Sequence, residues 1–211
     1  MKRIALALTL VAAMFMVSSI SDAATTRFSF SLSGANENPT NTSPATGSGF
    51  VELDTTAHTL HVSVTFSGLT SISTMAHIHC CIAPPGNTNV ATPVPAFPDF
   101  PLGVTSGAYD HTLDLTQASS WNPPFIAANG GTPAGAEAAL AAGAAADQAY
   151  FNIHTTAFPP GEIRGFLTPV LAQEPTPPAA PSIPTLSGWA FLLLGVLLLL
   201  SAFVYLRRRA T

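Results

Sequence analysis

Positive charge is scarce in this sequence. Only 7 of its 211 residues are Lys or Arg, and five of those lie at the two ends, at Lys2, Arg3 and 207–209. The part of the chain between the ends contains two basic residues, Arg27 and Arg164, and ten of the 11 acidic residues. Its net charge is therefore 2 − 10 = −8. Because binding to nucleic acid requires a basic patch, we expect no nucleic-acid partner.

Cysteine is almost absent. The sequence has 2 cysteines, and they are adjacent, at Cys80 and Cys81. Neighbouring cysteines cannot join distant segments, so a disulfide framework is excluded and the fold must depend on a hydrophobic core. The pair could form a vicinal disulfide, remain as buried thiols or bind a soft metal, and the first two are favoured.

Uninterrupted apolar runs, by contrast, occur near both ends. Lys2 and Arg3 precede the apolar run 4–20, and the small residues at 21–23 suit a cleavage site. This layout is typical of a secretory signal peptide. We therefore predict a signal peptide over 1–23 and a mature chain from about Ala24, with an uncleaved first transmembrane helix as the alternative.

The second apolar run, 189–206, is followed at once by three arginines. About 18 residues at about 1.5 Å each can cross the core of a bilayer. A basic tail marks the cytoplasmic end of such a span, and the acidic middle would then lie outside the cytoplasm. A buried helix of a soluble fold is disfavoured because it would carry a polar face.

A short motif, Ile183-Pro184-Thr185-Leu186, precedes this run. Motif, span and basic tail together (183–211) resemble the IPTL-CTERM sorting signal of Gram-negative bacteria. The resemblance implies cleavage by an exosortase-like membrane protease and release to the cell surface or beyond. The Pro-rich segment 171–182 before it predicts a stiff, extended linker of polyproline character.

The middle of the chain, 24–170, has the pattern of one domain built from strands. In the segment 60–66 every second residue is apolar, which is the period of a half-buried strand. Further strands are predicted at 28–32, 49–54, 75–79, 109–115, 149–154 and 162–168. Six prolines make 81–105 an excursion over the surface, while Thr132 and Pro133 start an Ala-rich helix. Short strands without βαβ alternation predict an all-β fold, an antiparallel, Greek-key-like β-sandwich with one short helix.

Three histidines form the strongest candidate site. Residues two apart on a strand point the same way, so His77 and His79 share a face. The same parity places His154 opposite its apolar neighbours. Three imidazoles suit Zn or Cu, and Glu37 or Glu162 could complete the ligand set or orient it. The alternative is a polar cluster without metal.

Four short sequence blocks are found along the middle of the chain: Leu32-Ser33-Gly34-Ala35-Asn36-Glu37, Ala76-His77-Ile78-His79, Asn152-Ile153-His154-Thr155 and Gly161-Glu162-Ile163-Arg164-Gly165. In this order they resemble the blocks of the CHRD domain, named for chordin. Family members usually have Gly-Pro after the paired histidines, where this chain has Cys80-Cys81. The resemblance implies the fold and an exported location, and it implies no settled chemistry. Separately, we expect Glu162 and Arg164 to form a structural ion pair.

These observations predict an exported, non-catalytic surface or extracellular-matrix module. Its expected partners are the inner membrane, an exosortase-like enzyme and exopolysaccharide. The alternative is a metal-dependent (Cu/Zn) redox enzyme on a β-sandwich, but His58, His61 and His111 do not suit a second metal. No enzyme is expected, because no Gly-x-Ser-x-Gly turn and no phosphate-binding loop is found.

Overall fold

The computed structural model describes residues 25–170 and 188–209. The predicted signal peptide (1–23), the linker (171–182) and the Ile183–Leu186 motif lie outside the described residues. The chain divides into two compact units, Met1–Leu171 and Ala172–Thr211. The strands of the first unit are β1 Thr25–Ser33, β2 Thr46–Asp54, β3 Thr59–Ser67, β4 Ser73–Cys80, β5 Gly107–Asp114, β6 Ala149–Thr155, β7 Ile163–Phe166 and β8 Thr168–Pro169.

These eight strands form one antiparallel sheet in the order β4-β6-β7-β1-β2-β3-β5, with β8 paired to β1. The sheet is curled and sandwich-like, and the predicted all-β class is confirmed. Phe30 of β1 and Phe151 of β6 stack with ring centroids 5.1 Å apart, although these two strands are not hydrogen-bonded neighbours. The curl thus brings separated strands together over a shared core.

The core lies on the face that the strand period predicted. In β3, the alternate residues Leu60, Val62, Val64 and Phe66 are all buried. The Pro-rich excursion also contributes to this core, which the sequence did not predict. Its Phe97 and Phe100 are buried, and they lie against Phe151 with centroids 5.6 and 6.4 Å away.

Two α-helices lie within the described residues 25–170. The Ala-rich helix, α2 Pro133–Ala145, begins as predicted, because the Thr132 side chain accepts a hydrogen bond from the amide of Gly135. The shorter α1, Pro123–Ala128, was not predicted. It follows Trp121, whose buried indole N–H donates to the carbonyl of Leu115.

The second unit contains the helix α3, Gly188–Arg209. Its 22 residues span about 33 Å at about 1.5 Å per residue. The segment Phe191–Arg208 has a mean hydropathy of 1.9, and it is long and apolar enough to cross a membrane. Length and composition are therefore compatible with the predicted anchor.

Candidate metal centre

The three predicted histidines come together on one face of β4 and β6. His77 and His79 are on β4, and His154 is on β6 directly opposite Met75. The His77 ring centroid lies 4.7 Å from that of His79 and 4.7 Å from that of His154. One ring nitrogen from each residue lies within 4.8 Å of the other two. All three side chains are buried although they point away from the apolar core.

Backbone carbonyls fix the orientation of two of the rings. His79 Nδ1 donates to the carbonyl of Thr88 at 2.7 Å, and His154 Nδ1 donates to the carbonyl of Pro159 at 2.8 Å. A carbonyl can only accept, so each Nδ1 carries the proton and each Nε2 keeps a lone pair. Those two Nε2 atoms and Nδ1 of His77 have no hydrogen-bond partner. The cluster therefore presents three unshared nitrogens.

Burial keeps the imidazoles neutral. It lowers the pKa of His77 to about 2, with a smaller effect from His154 and His79. Burial also lowers the pKa of His79 to about 4, although its bond to Thr88 opposes the shift, and it lowers the pKa of His154. The neutral ring is the form that binds a metal.

Arg164 of β7 holds loops over this face. Asn152 of β6 pairs directly with His77 on one side and with Arg164 on the other, so the three side chains share a face. Arg164 is fully buried. Its guanidinium donates to the carbonyls of Asn36, Pro85 and Gly86 and to Oδ1 of Asn87. These bonds tie segments 34–36 and 85–87 to the sheet.

The acidic neighbour of Arg164 is Glu37, not Glu162 as expected. Glu37 Oε2 lies 3.9 Å from Arg164 Nε. Glu162 instead accepts hydrogen bonds from the Ser43 hydroxyl, the Thr70 amide and the Thr155 hydroxyl. Although burial raises the pKa of Glu162, these bonds outweigh it and hold that pKa below its ordinary value. Because both of its carboxylate oxygens are engaged, Glu162 is less suited than Glu37 to serve the cluster.

The carboxyl group of Glu37 has a raised pKa. Burial raises its pKa to about 7, and Arg164 only partly offsets the shift. Its Oε1 has no partner, and neither has Oδ1 of Asn152. Both oxygens adjoin Gly161, where an added Cβ would lie 2.7 Å from Glu37 Oε1 and 2.8 Å from Asn152 Oδ1. Sequence reasoning missed Asn152 and Gly161, although both belong to the CHRD-like blocks.

The remaining candidates lie outside this cluster. Cys80 and Cys81 are joined in a disulfide, so their sulfurs are not thiolate ligands in this structure. His58 contacts Glu137 at 2.9 Å, and His61 contacts Asp110 at 3.1 Å. Among the described residues, the only group of three or more His, Cys, Asp or Glu side chains placed to hold a metal is the His77, His79 and His154 triad.

The curled β-sheet and its covered polar face define an all-β domain. The family model of the CHRD domain matches residues 28–167, which is well over half of the chain. The protein therefore belongs to the CHRD domain family, and that membership suggests a non-enzymatic extracellular binding module. No curated protein and no solved structure gave a match.

Proposed function

We propose that this protein is an exported CHRD-domain binding module in which His77, His79 and His154 bind one zinc or copper ion. One observation supports this most directly: each of the three buried histidines has a nitrogen without a partner, and these side chains converge. A buried polar atom without a hydrogen bond costs about 1–3 kcal/mol. A metal bound to all three nitrogens removes that cost at once.

The surroundings of the triad favour a metal over a purely polar cluster. In a polar cluster, each imidazole would use its second nitrogen on a protein donor. Here the protein instead binds Nδ1 of His79 and of His154 through carbonyls, which is how metal-binding histidines are usually oriented. Glu37 is the acidic group that would stand beside the ion, since Glu162 is fully engaged elsewhere.

Export is the second part of the proposal. The acidic body of the chain lies between two apolar runs, and α3 can span a membrane. The domain would face the periplasm from the inner membrane. An exosortase-like enzyme would then cut near Ile183–Leu186 and free it to the surface, where it would act by adhesion or by packing into exopolysaccharide.

Metal content tests the site. The domain 24–170, purified without a polyhistidine tag, should bind one zinc or copper per chain by elemental analysis. The double variant His77→Ala/His79→Ala should lose that metal, whereas the control His61→Ala, outside the cluster, should retain it. Equal metal content in all three proteins would overturn the site. Superoxide turnover by the metal-loaded domain would favour the redox-enzyme alternative.

Cell fractionation tests the export. The mature protein should be recovered from the surface or the medium, with a mass lacking both 1–23 and the C-terminal span. Deletion of the gene should alter biofilm or surface properties. Intact, unprocessed protein in the cytosol, or an unchanged biofilm, would contradict this part of the proposal.

A further inference from the structure

We propose that the metal keeps one coordination position for a water molecule, and that Glu37 and Asn152 hold this water. The inference rests on the proposed metal site. It adds that the centre is open to exchangeable small ligands, unlike a structural site closed by four protein ligands.

Unpartnered buried atoms concentrate at one place in this domain. Six buried side-chain atoms of the described residues have no hydrogen-bond partner. Five of these six atoms belong to the triad, Glu37 and Asn152. Three of the five are nitrogens that a metal would take. The remaining two, Glu37 Oε1 and Asn152 Oδ1, are oxygens that need hydrogen-bond donors, and a metal ion bound by the three histidines donates none.

Gly161 leaves room for such a donor. An added Cβ would lie 2.7 Å from Glu37 Oε1, 2.7 Å from Asn152 Nδ2 and 2.8 Å from Asn152 Oδ1, so both unpartnered oxygens lie beside this glycine. Their separation is no greater than the sum of the two oxygen distances, and one water molecule with two O–H···O bonds of about 2.5–3.0 Å can bridge such a span. Any other residue at 161 would fill this gap with its own side chain.

The gap also adjoins the metal ligands. Asn152 is directly opposite His77 in the β4–β6 register, and such cross-strand neighbours have Cβ atoms about 4.5–5.5 Å apart. The loop containing Gly161 also supplies the Pro159 carbonyl that orients His154. Three imidazoles would leave at least one coordination position of zinc or copper free.

Water matches this set of partners. It has two O–H donors, one for Glu37 and one for Asn152, and a lone pair for the metal. The competing arrangement is direct binding of Glu37 to the metal, which would leave Asn152 Oδ1 without a donor. Water therefore satisfies both oxygens, and direct carboxylate binding satisfies one.

Exchangeable protons near the metal test the inference. The full chain, purified in detergent without a polyhistidine tag, is loaded with Cu(II) and studied by electron–nuclear double resonance in H2O and in D2O. A coordinated water gives strongly coupled proton signals that disappear in D2O. The wild type should show them, and Gly161→Ala should bind one copper per chain and lack them, because the new methyl group occupies the gap.

Two further variants make the result specific. Gly131→Ala is the matched control, since Gly131 also has a positive φ of 73° but an added Cβ there meets nothing within 4 Å. It should keep the water signals. Asn152→Leu removes one acceptor without changing a positive-φ glycine. It should bind copper with the water signals lost or strongly reduced, and it decides the question if Gly161→Ala does not fold.

The experiment distinguishes failure of the proposed water from failure of the proposed metal site. A wild-type protein that binds one copper without strongly coupled exchangeable protons would overturn the water but leave the metal site standing. Signals unchanged in both Gly161→Ala and Asn152→Leu would show that any bound water lies elsewhere, and would also overturn the inference. A wild type that binds no copper or zinc would overturn the proposed function itself.

Discussion

At the scale of single residues, Arg164 and Arg27 differ sharply in burial, although they are the only two Lys or Arg residues between positions 4 and 206. Arg164 is fully buried and donates to four acceptors. Arg27 pairs with Glu52 at 2.9 Å with a side chain that is 47% exposed. The first is part of the interior, and the second is a surface ion pair of the kind that contributes little.

Replacing Arg164 by Lys should therefore destabilise the domain. Lysine keeps the charge but lacks the planar fork, so at least two of the hydrogen bonds are lost, at about 1 kcal/mol each. We expect the free energy of unfolding of Arg164→Lys, measured with urea, to fall by about 2 kcal/mol or more. The control Arg27→Lys should change it by less than about 0.5 kcal/mol. Equal effects of the two changes would contradict this role for Arg164.

The histidine triad should make the metal-free domain sensitive to acid. The folded pKa values of His77 and His79 are lowered from 6.5 to about 2 and about 4, and that of His154 is also lowered. The unfolded chain then takes up protons first, so this contribution is complete above pH 6.5 and is lost as the pH falls below it. The raised pKa of Glu37, about 7, acts in the opposite sense, because its contribution is lost as the pH rises from 4.5 towards 7.

Three histidines outweigh one carboxyl group, so stability should fall between pH 7 and pH 5. Urea unfolding of the chelator-treated domain at these two pH values measures the effect. Glu37→Gln should steepen the loss by removing the opposing group, and His77→Gln should reduce it. A midpoint that rises between pH 7 and pH 5 would show that the imidazoles are not held neutral.

At the scale of secondary-structure elements, strand parity predicted both the sheet and the triad. The strand β3 has a strict period of two and was predicted at 60–66, within one residue of its observed bounds Thr59–Ser67, because one of its faces must be buried. The same parity placed His77 and His79 together and turned His154 away from the core. Local pattern was sufficient wherever the answer depended on neighbours along one strand.

The parts that were not predicted depend on contacts between distant segments. Glu37 meets Arg164 because β7 pairs with β1, and no local pattern encodes that neighbour. Phe97 and Phe100 enter the core from a segment whose prolines correctly excluded regular structure but not burial. Gly161 matters through the space it leaves, which becomes visible only once Glu37 and Asn152 are in place.

The contact between α2 and the disulfide gives an element-level prediction. Gly143 of α2 packs on Cys80 and Cys81, and an added Cβ would overlap both sulfurs. In an open helix, Gly→Ala stabilises by about 1 kcal/mol. Here Gly143→Ala should lower the free energy of unfolding instead, because the overlap forces α2 away from the end of β4.

Exposed Ala142 is the control in the same helix. Ala142→Gly should cost about 1 kcal/mol through helix propensity alone. Replacing Cys80 and Cys81 by Ala in the Gly143→Ala background should restore part of the lost stability, since it removes the sulfurs. If Gly143→Ala raises the thermal midpoint in the presence of the cysteines, the proposed contact is wrong.

At the scale of the whole molecule, the chain combines two units of opposite character. Residues 25–170 bury their apolar side chains in a core. In α3, by contrast, the side chains of 191–208 are exposed, large apolar ones included. A helix of 22 residues with this surface requires another environment, and a bilayer provides one. The anchor should therefore depend on α3 alone, and the fold on the first unit alone.

Charges placed in the middle of α3 test this division. Lys or Arg near the centre of a span costs about 2.5–3.5 kcal/mol per residue on insertion scales. The double variant Leu198→Lys/Leu199→Lys should therefore pass from the carbonate-resistant membrane fraction to the extractable fraction. The isosteric control Leu198→Ile/Leu199→Ile should remain in the membrane fraction. The far-ultraviolet circular dichroism of a chain truncated after Val170 should keep its β-sheet signal, because the eight strands and the described core residues all lie within 25–170. Membrane retention of the lysine variant, or loss of the β-sheet signal on truncation, would show that the two units are not independent.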